Sequence, residues 1–182
     1  DFAHDQVTRF LSNSKLSPRI IRDKALVDIP LSSHGFILFD DTVIDKDFSK
    51  KIEIARTQYS GNAHGTVRGI GVVTCVYYNP DVDKFYAIDY RIFDPDRDGQ
   101  SKLDHVWDML DGLASKNVTY GYVLMDSWYA VNELMVHIDD LNKIYYCPVK
   151  SIRLVDDTGI QNGKKKAYRA VSQLEWDQTT LE

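Results

Sequence analysis

Two rhythms of apolar and polar positions run along this chain. GFILFDDT (35–42) and YGYVLMD (120–126) are short apolar runs that each stop abruptly at acid, as buried central strands do. Neither run has a polar face, so both are expected to be covered on two sides and to lie next to each other. GIGVVTCVYY (69–78) is rich in β-branched and aromatic residues, NPDVDK (79–84) supplies a turn, and FYAIDYRIF (85–93) reads as the antiparallel partner. Helical spacing then takes over in SKLDHVWDMLDGLASK. Ser101 is its expected N-cap, and Leu103, Val106, Trp107, Leu110 and Leu113 fall on one face. SWYAVNELMVHIDDL predicts a second amphipathic helix, capped by Ser127, with Val131, Leu134, Met135, Ile138 and Leu141 facing inward. KIYYCPVK (143–150) predicts a closing strand.

The ends carry weaker patterns. Residues 1–27 read as helical, with Val7, Phe10 and Leu11 as a short stripe and a second helix starting at Ser17-Pro18. Residues 43–68 are polar and contain SGNAHG (60–65), which reads as a long irregular connection, and DPDRDGQ (94–100) reads as a loop. Beyond Lys150 the pattern predicts a hairpin turning around Thr158–Gly163. The order is β-β-β-α-β-α-β: three antiparallel strands, then two α-β units, an α/β mixed sheet flanked by helices. This divides the chain into a helical segment (1–30), a core (31–152) and the start of an added β-rich region (153–182).

Composition narrows the picture only slightly. A chain of 182 residues with 43% hydrophobic and 27% charged positions is long enough for one domain with its own core. No apolar run approaches the roughly 20 residues of a membrane span, and no signal-peptide pattern opens the chain. Its first residue is Asp1, so a fragment or processed piece is expected. Cys75 and Cys147 sit in apolar runs and are expected to be free thiols, which suits a reducing cytoplasm. The net charge of −5 argues against a surface coated for nucleic acid, though Lys164, Lys165, Lys166 and Arg169, with Lys150 and Arg153 upstream, form one basic patch.

The candidate chemistry lies at two strand ends, Asp41 and Asp126. If those strands are parallel neighbours, both carboxylates emerge at the carboxyl edge where open α/β sheets place ligands. Two acids there repel unless a cation sits between them, and oxygen ligands favour Mg²⁺ or Mn²⁺ over zinc. Two unpaired like charges also imply that replacing either aspartate leaves stability little changed or raised.

FDDT (39–42) and VLMDSWY (123–129) closely resemble the first and second aspartate motifs of bacterial insertion-sequence transposases of the DDE superfamily. HDQVTRFLS resembles the helical segment before that core, SGNAHGTVRGI (60–70) the link into its second strand, and YYCPVKSIR (145–153) its fifth strand. The resemblance keeps order and spacing over most of residues 4–155. It implies an RNase H-like fold, metal binding and catalysis by Asp41 and Asp126, and metal-dependent cleavage and strand transfer at transposon ends. It further implies DNA as partner, a homodimer in the synaptic complex and a place in the bacterial cytoplasm. Asp40 competes with Asp41, but the family pattern puts the ligand directly before the threonine. The third family carboxylate, a glutamate on a later helix, has no counterpart: Glu175, Glu182 and Glu133 lack its context. The alternative is therefore a catalytically incomplete or domesticated DNA-binding or interaction domain.

Other signals have competing readings. Asp94, Asp96, Asp98 and Gly99 mimic a calcium loop, but His105 stands where that loop needs glutamate, so an acidic turn is expected. His64 and Arg68, with Lys150, Arg153, Lys164, Lys165 and Lys166, are the candidate DNA contacts. Trp128 and Tyr129 could stack on bases, although a core role is the first expectation. GNAHGTVRG lacks the lysine of a phosphate-binding loop.

Overall fold

A computed structural model describes residues 4–14, 16–49, 51–156 and 168–175. Two helices, α1 (His4–Asn13) and α2 (Pro18–Asp28), open the chain. Ser17 caps α2 by accepting from the Ile20 amide, with Pro18 in the first turn, where its missing N–H costs nothing. The side chains of Val7 and Leu11, the turn at Thr158–Gly163, Lys164, Lys165, Lys166 and Glu182 lie outside the described residues.

The described strands of the main sheet are β1 (Phe36–Asp45), β2 (Arg56–Ser60), β3 (Gly65–Asn79), β4 (Lys84–Phe93), β5 (Tyr122–Met125) and β6 (Ile144–Tyr146). Their order is β2-β3-β1-β5-β6, with β4 also paired to β3. β1 is antiparallel to β3 and parallel to β5, and β6 is parallel to β5. This is an α/β fold with a mixed sheet, and the 35–41 run is central beside 120–125, as its pattern implied. Gly121 makes that neighbourhood possible: a Cβ there would lie 2.5 Å from the Ser33 carbonyl oxygen, while its amide donates to Gly35 at 2.9 Å.

Two expectations need correction. Residues 43–68 are not a loose connection, because β1 runs on to Asp45, β2 lies within the segment, and SGNAHG is the tight turn joining β2 to β3. Their polarity reflects a ribbon that extends beyond the core, where both faces are wet. The two central runs are also not covered equally on both sides. Ile37, Phe39, Val123 and Met125 are buried, whereas Phe36, Leu38, Tyr122 and Leu124 are only half-buried. On that second face, aromatic residues shield one another across neighbouring strands: Tyr78 stacks on Phe85 with ring centroids 4.4 Å apart, and Phe36 on Tyr122 at 4.6 Å.

The core lies on the first face, under α4 (Lys102–Ser115) and α5 (Asn132–Asp140), with α3 (Pro95–Asp98) a single turn in the expected loop. Val106, Met109, Leu110, Leu113, Leu134 and Ile138 are fully buried against the sheet. Each such side chain contributes about 1.5–3 kcal/mol by leaving water. α2 packs on β4, where Arg22 pairs with the buried Asp89 at 3.5 Å, and Arg91 reaches the other Asp89 oxygen at 2.5 Å. After β6, β7 (Leu154–Asp156) pairs antiparallel with β8 (Tyr168–Ala170), giving the expected hairpin.

Candidate active site

Strand alternation turns Asp40 and Asp41 to opposite faces of β1, although both carboxylates line the same cleft. Side chains at odd positions of β1 share a face, so Asp41 follows Ile37 and Phe39 toward the helix side, while Asp40 turns to the other face and is exposed. The exposed Asp40 carboxylate accepts the Asp41 amide at 2.8 Å. On β5, Met125 pairs with Phe39, so Asp126 leaves the sheet one residue beyond the last paired position, beside Asp40 and Asp41. Asp41 does not stand at a strand tip, the place expected for it, because β1 runs on to Asp45; it lies two residues past the last β1–β5 pair and Asp126 one residue past it, and both line one cleft of about 440 Å³.

Asp126 organises the chain that follows it. Its side chain accepts the Trp128 amide at 2.8 Å, and its carbonyl accepts the Tyr129 amide at 3.2 Å. The Cys147 thiol donates to that same carbonyl at 3.1 Å. This turn occupies the residues expected to start the second helix, which begins only at Asn132 with Val131 in the cap position. Ser127 is therefore not its N-cap. The turn sends Tyr129 inward, fully buried, and leaves Trp128 48% exposed, which overturns the core role expected of Trp128.

Sequence reading missed two partners of Asp41. The Tyr129 hydroxyl donates to Asp41 Oδ1 at 3.2 Å. Burial first, and then the negative charge of Asp41, push the Tyr129 phenol well above its ordinary range, so it remains a protonated donor. The Lys102 ammonium pairs with Asp41 Oδ2, with side chains only 14% and 22% exposed. Lys102 is the first residue of α4, held over the cleft by a capping box in which Ser101 Oγ accepts the Asp104 amide and Asp104 accepts the Ser101 amide. Its Nζ also lies 5.4 Å from the Phe93 ring centre and 5.9 Å from that of Trp128. Asp41 is thus not one of two unpaired like charges, and the stability expectation built on that picture is corrected. One signal was available in the sequence: a lysine in the first turn of a helix opposes the macrodipole, so something else must hold it there.

The candidate DNA contacts separate. Gly61 and Asn62 of the β2–β3 turn line the cleft, while His64 closes that turn with φ 49° and is exposed. Arg68 spends its guanidinium on three carbonyls, Lys46 at 3.3 Å, Ser49 at 2.9 Å and Ile52 at 3.1 Å, which pins the segment after β1. Lys150 and Arg153 line a second hollow of about 590 Å³ that shares Trp128 with the first. The Arg153 guanidinium also donates to the Ala130 carbonyl.

The calcium mimic is a helical turn: Asp98 accepts the Gln100 amide at 3.0 Å, and Asp96 pairs with Arg56 at 3.3 Å. Glu133 and Glu175 are exposed. Among the described residues, no group of three or more His, Cys, Asp and Glu side chains is placed to hold a metal ion, and both cysteines are free. No helix among them is long and apolar enough to cross a membrane. The chain matches no family model and no curated protein.

Proposed function

We propose that this chain carries the two-aspartate part of a DDE-type DNA transposase site, in which Asp41 and Asp126 hold Mg²⁺ or Mn²⁺ against the DNA backbone. The observation that carries the reading is the delivery of both carboxylates into one cleft by adjacent parallel strands. A strand order with β1 antiparallel to β3 and parallel to β5 supports the RNase H-like reading of the fold.

The donor set fits a hard divalent cation in part. Aspartate oxygens suit Mg²⁺ and Mn²⁺, and an ammonium already lies against Asp41, so this carboxylate sits where a cation is favourable. Two carboxylates leave most of an octahedral shell to water and phosphate, so binding is weak in the free protein. When bound, the ion supplies Lewis-acid polarisation of a phosphodiester. The chain's own residues do the rest: Tyr129 fixes the Asp41 rotamer, and the Asp126 turn presents Trp128 at the rim. Lys150 and Arg153 supply positive charge in the adjoining hollow for the strand leaving the cleft. Pairing of two copies around transposon ends belongs to the same reading.

Calorimetric titration with Mn²⁺, with and without a short DNA duplex, tests this. Wild type is expected to bind one ion weakly, and the duplex to strengthen binding because phosphate oxygens join the shell. Asp41→Asn and Asp126→Asn should lose both effects. Duplex binding that ignores Mn²⁺ and both substitutions would favour the alternative, a DNA-binding domain without catalysis.

A further inference from the structure

We infer that Lys102 is the resident counter-cation of the site and competes with the divalent ion for Asp41, so that it sets the cation concentration at which the site loads. This rests on the metal reading of Asp41 and Asp126 and deepens it.

Three observations converge. The ammonium contacts Asp41 Oδ2, and the opposite oxygen is held by Tyr129, so the carboxylate cannot turn away from it. The Nζ lies over the faces of Phe93 and Trp128, whose ring quadrupoles favour a cation at this spot. Lys102 also occupies a position where the helix dipole disfavours positive charge, and no other described carboxylate shares its ammonium. Asp41 therefore supplies most of what holds the charge there. An ion on the Asp41–Asp126 pair would place two cations, the divalent ion and the ammonium, on one carboxylate, a repulsion weakly screened at a half-buried site. Loading thus requires the ammonium to leave Asp41. Its flexible stem, anchored at the rim of the cleft, allows that movement without unwinding α4.

The test uses Mn²⁺ alone, with the free-ion electron paramagnetic resonance signal as readout and thermal melts alongside. Wild type, Lys102→Met, Lys102→Arg and Asp126→Asn are compared, the last also combined with Lys102→Met. Methionine keeps the length and helix propensity of lysine, and the capping box of Ser101 and Asp104 is untouched, so the fold is retained. Lys102→Met is expected to bind Mn²⁺ about tenfold tighter than wild type, the scale of removing one nearby unit charge. Lys102→Arg should bind no tighter than wild type, and both Asp126→Asn proteins should bind none. Mn²⁺ should raise the melting temperature of Lys102→Met more than that of wild type. Equal or weaker binding by Lys102→Met, with Asp126→Asn still abolishing binding, overturns the competitor role and leaves the metal reading standing. No binding by Lys102→Met at millimolar Mn²⁺ overturns both.

Discussion

The Tyr129 hydroxyl donates to Asp41 Oδ1 at 3.2 Å across 88 residues of sequence, linking the turn after β5 to the middle of β1. Tyr129 is fully buried, so its hydroxyl has no water to fall back on. Replacing it with phenylalanine removes the donor but keeps the packing. Tyr129→Phe is expected to cost about 0.5–1.5 kcal/mol, more if the Asp41 oxygen stays dry, measured by urea unfolding.

Asp41 and Asp126 are expected to differ in stability although they share a cleft. Asp41→Ala leaves both the Lys102 ammonium and the Tyr129 hydroxyl without their partner, costing roughly 1–3 kcal/mol. Asp126 is exposed and its side chain accepts one amide, so Asp126→Ala should cost about 1 kcal/mol or less. Melting temperatures in the reverse order would contradict the pairing described for Asp41.

Much of this was legible from pattern because it depends on local periodicity. The adjacent strands that carry Asp41 and precede Asp126, the Ser101 cap, the α4 face and the β3–β4 hairpin all follow from spacing that the chain repeats in three dimensions, although β1 runs past Asp41 to Asp45. β2 was not, because RTQYS gains its strand only by pairing with β3, and its side chains gain little burial. The late start of α5 escaped for a different reason. An aspartate that accepts amides two and three residues ahead builds a turn that competes with helix, and SWYAV alone does not reveal it. In the site, the two apolar runs brought both carboxylates to one cleft, but the Lys102 and Tyr129 contacts span 61 and 88 residues and arise only from tertiary packing.

His105 makes stability depend on acid. It is 2% exposed, neither ring nitrogen has a hydrogen-bond partner, and burial lowers its pKa from the ordinary 6.5 despite the nearby Asp98. Between the lowered folded value and 6.5 the unfolded chain binds more protons, so this contribution is complete above pH 6.5 and is lost as pH falls through that window. The melting temperature should drop more steeply below pH 6.5 in wild type than in His105→Leu. Parallel profiles would show that His105 titrates normally.

Arg68 is expected to act as a structural brace. Arg68→Ala removes donors from the Lys46, Ser49 and Ile52 carbonyls and should cost about 1–3 kcal/mol. Amide exchange should speed up most at residues 46–49 and 51–55, with Mn²⁺ affinity unchanged. Loss of DNA affinity without loss of stability would instead make Arg68 a DNA contact.

On the proposed reading, Asp41 and Asp126 hold one divalent cation together. Substoichiometric Mn²⁺ added to isotopically labelled protein broadens amide resonances near the bound ion and spares distant ones. Residues 40–42 and 126–129 are expected to broaden first on that reading, Mg²⁺ to reverse this, and Asp126→Asn to remove broadening at both segments together. Broadening that begins at residues 94–99, or that survives at residues 40–42 in Asp126→Asn, would contradict it.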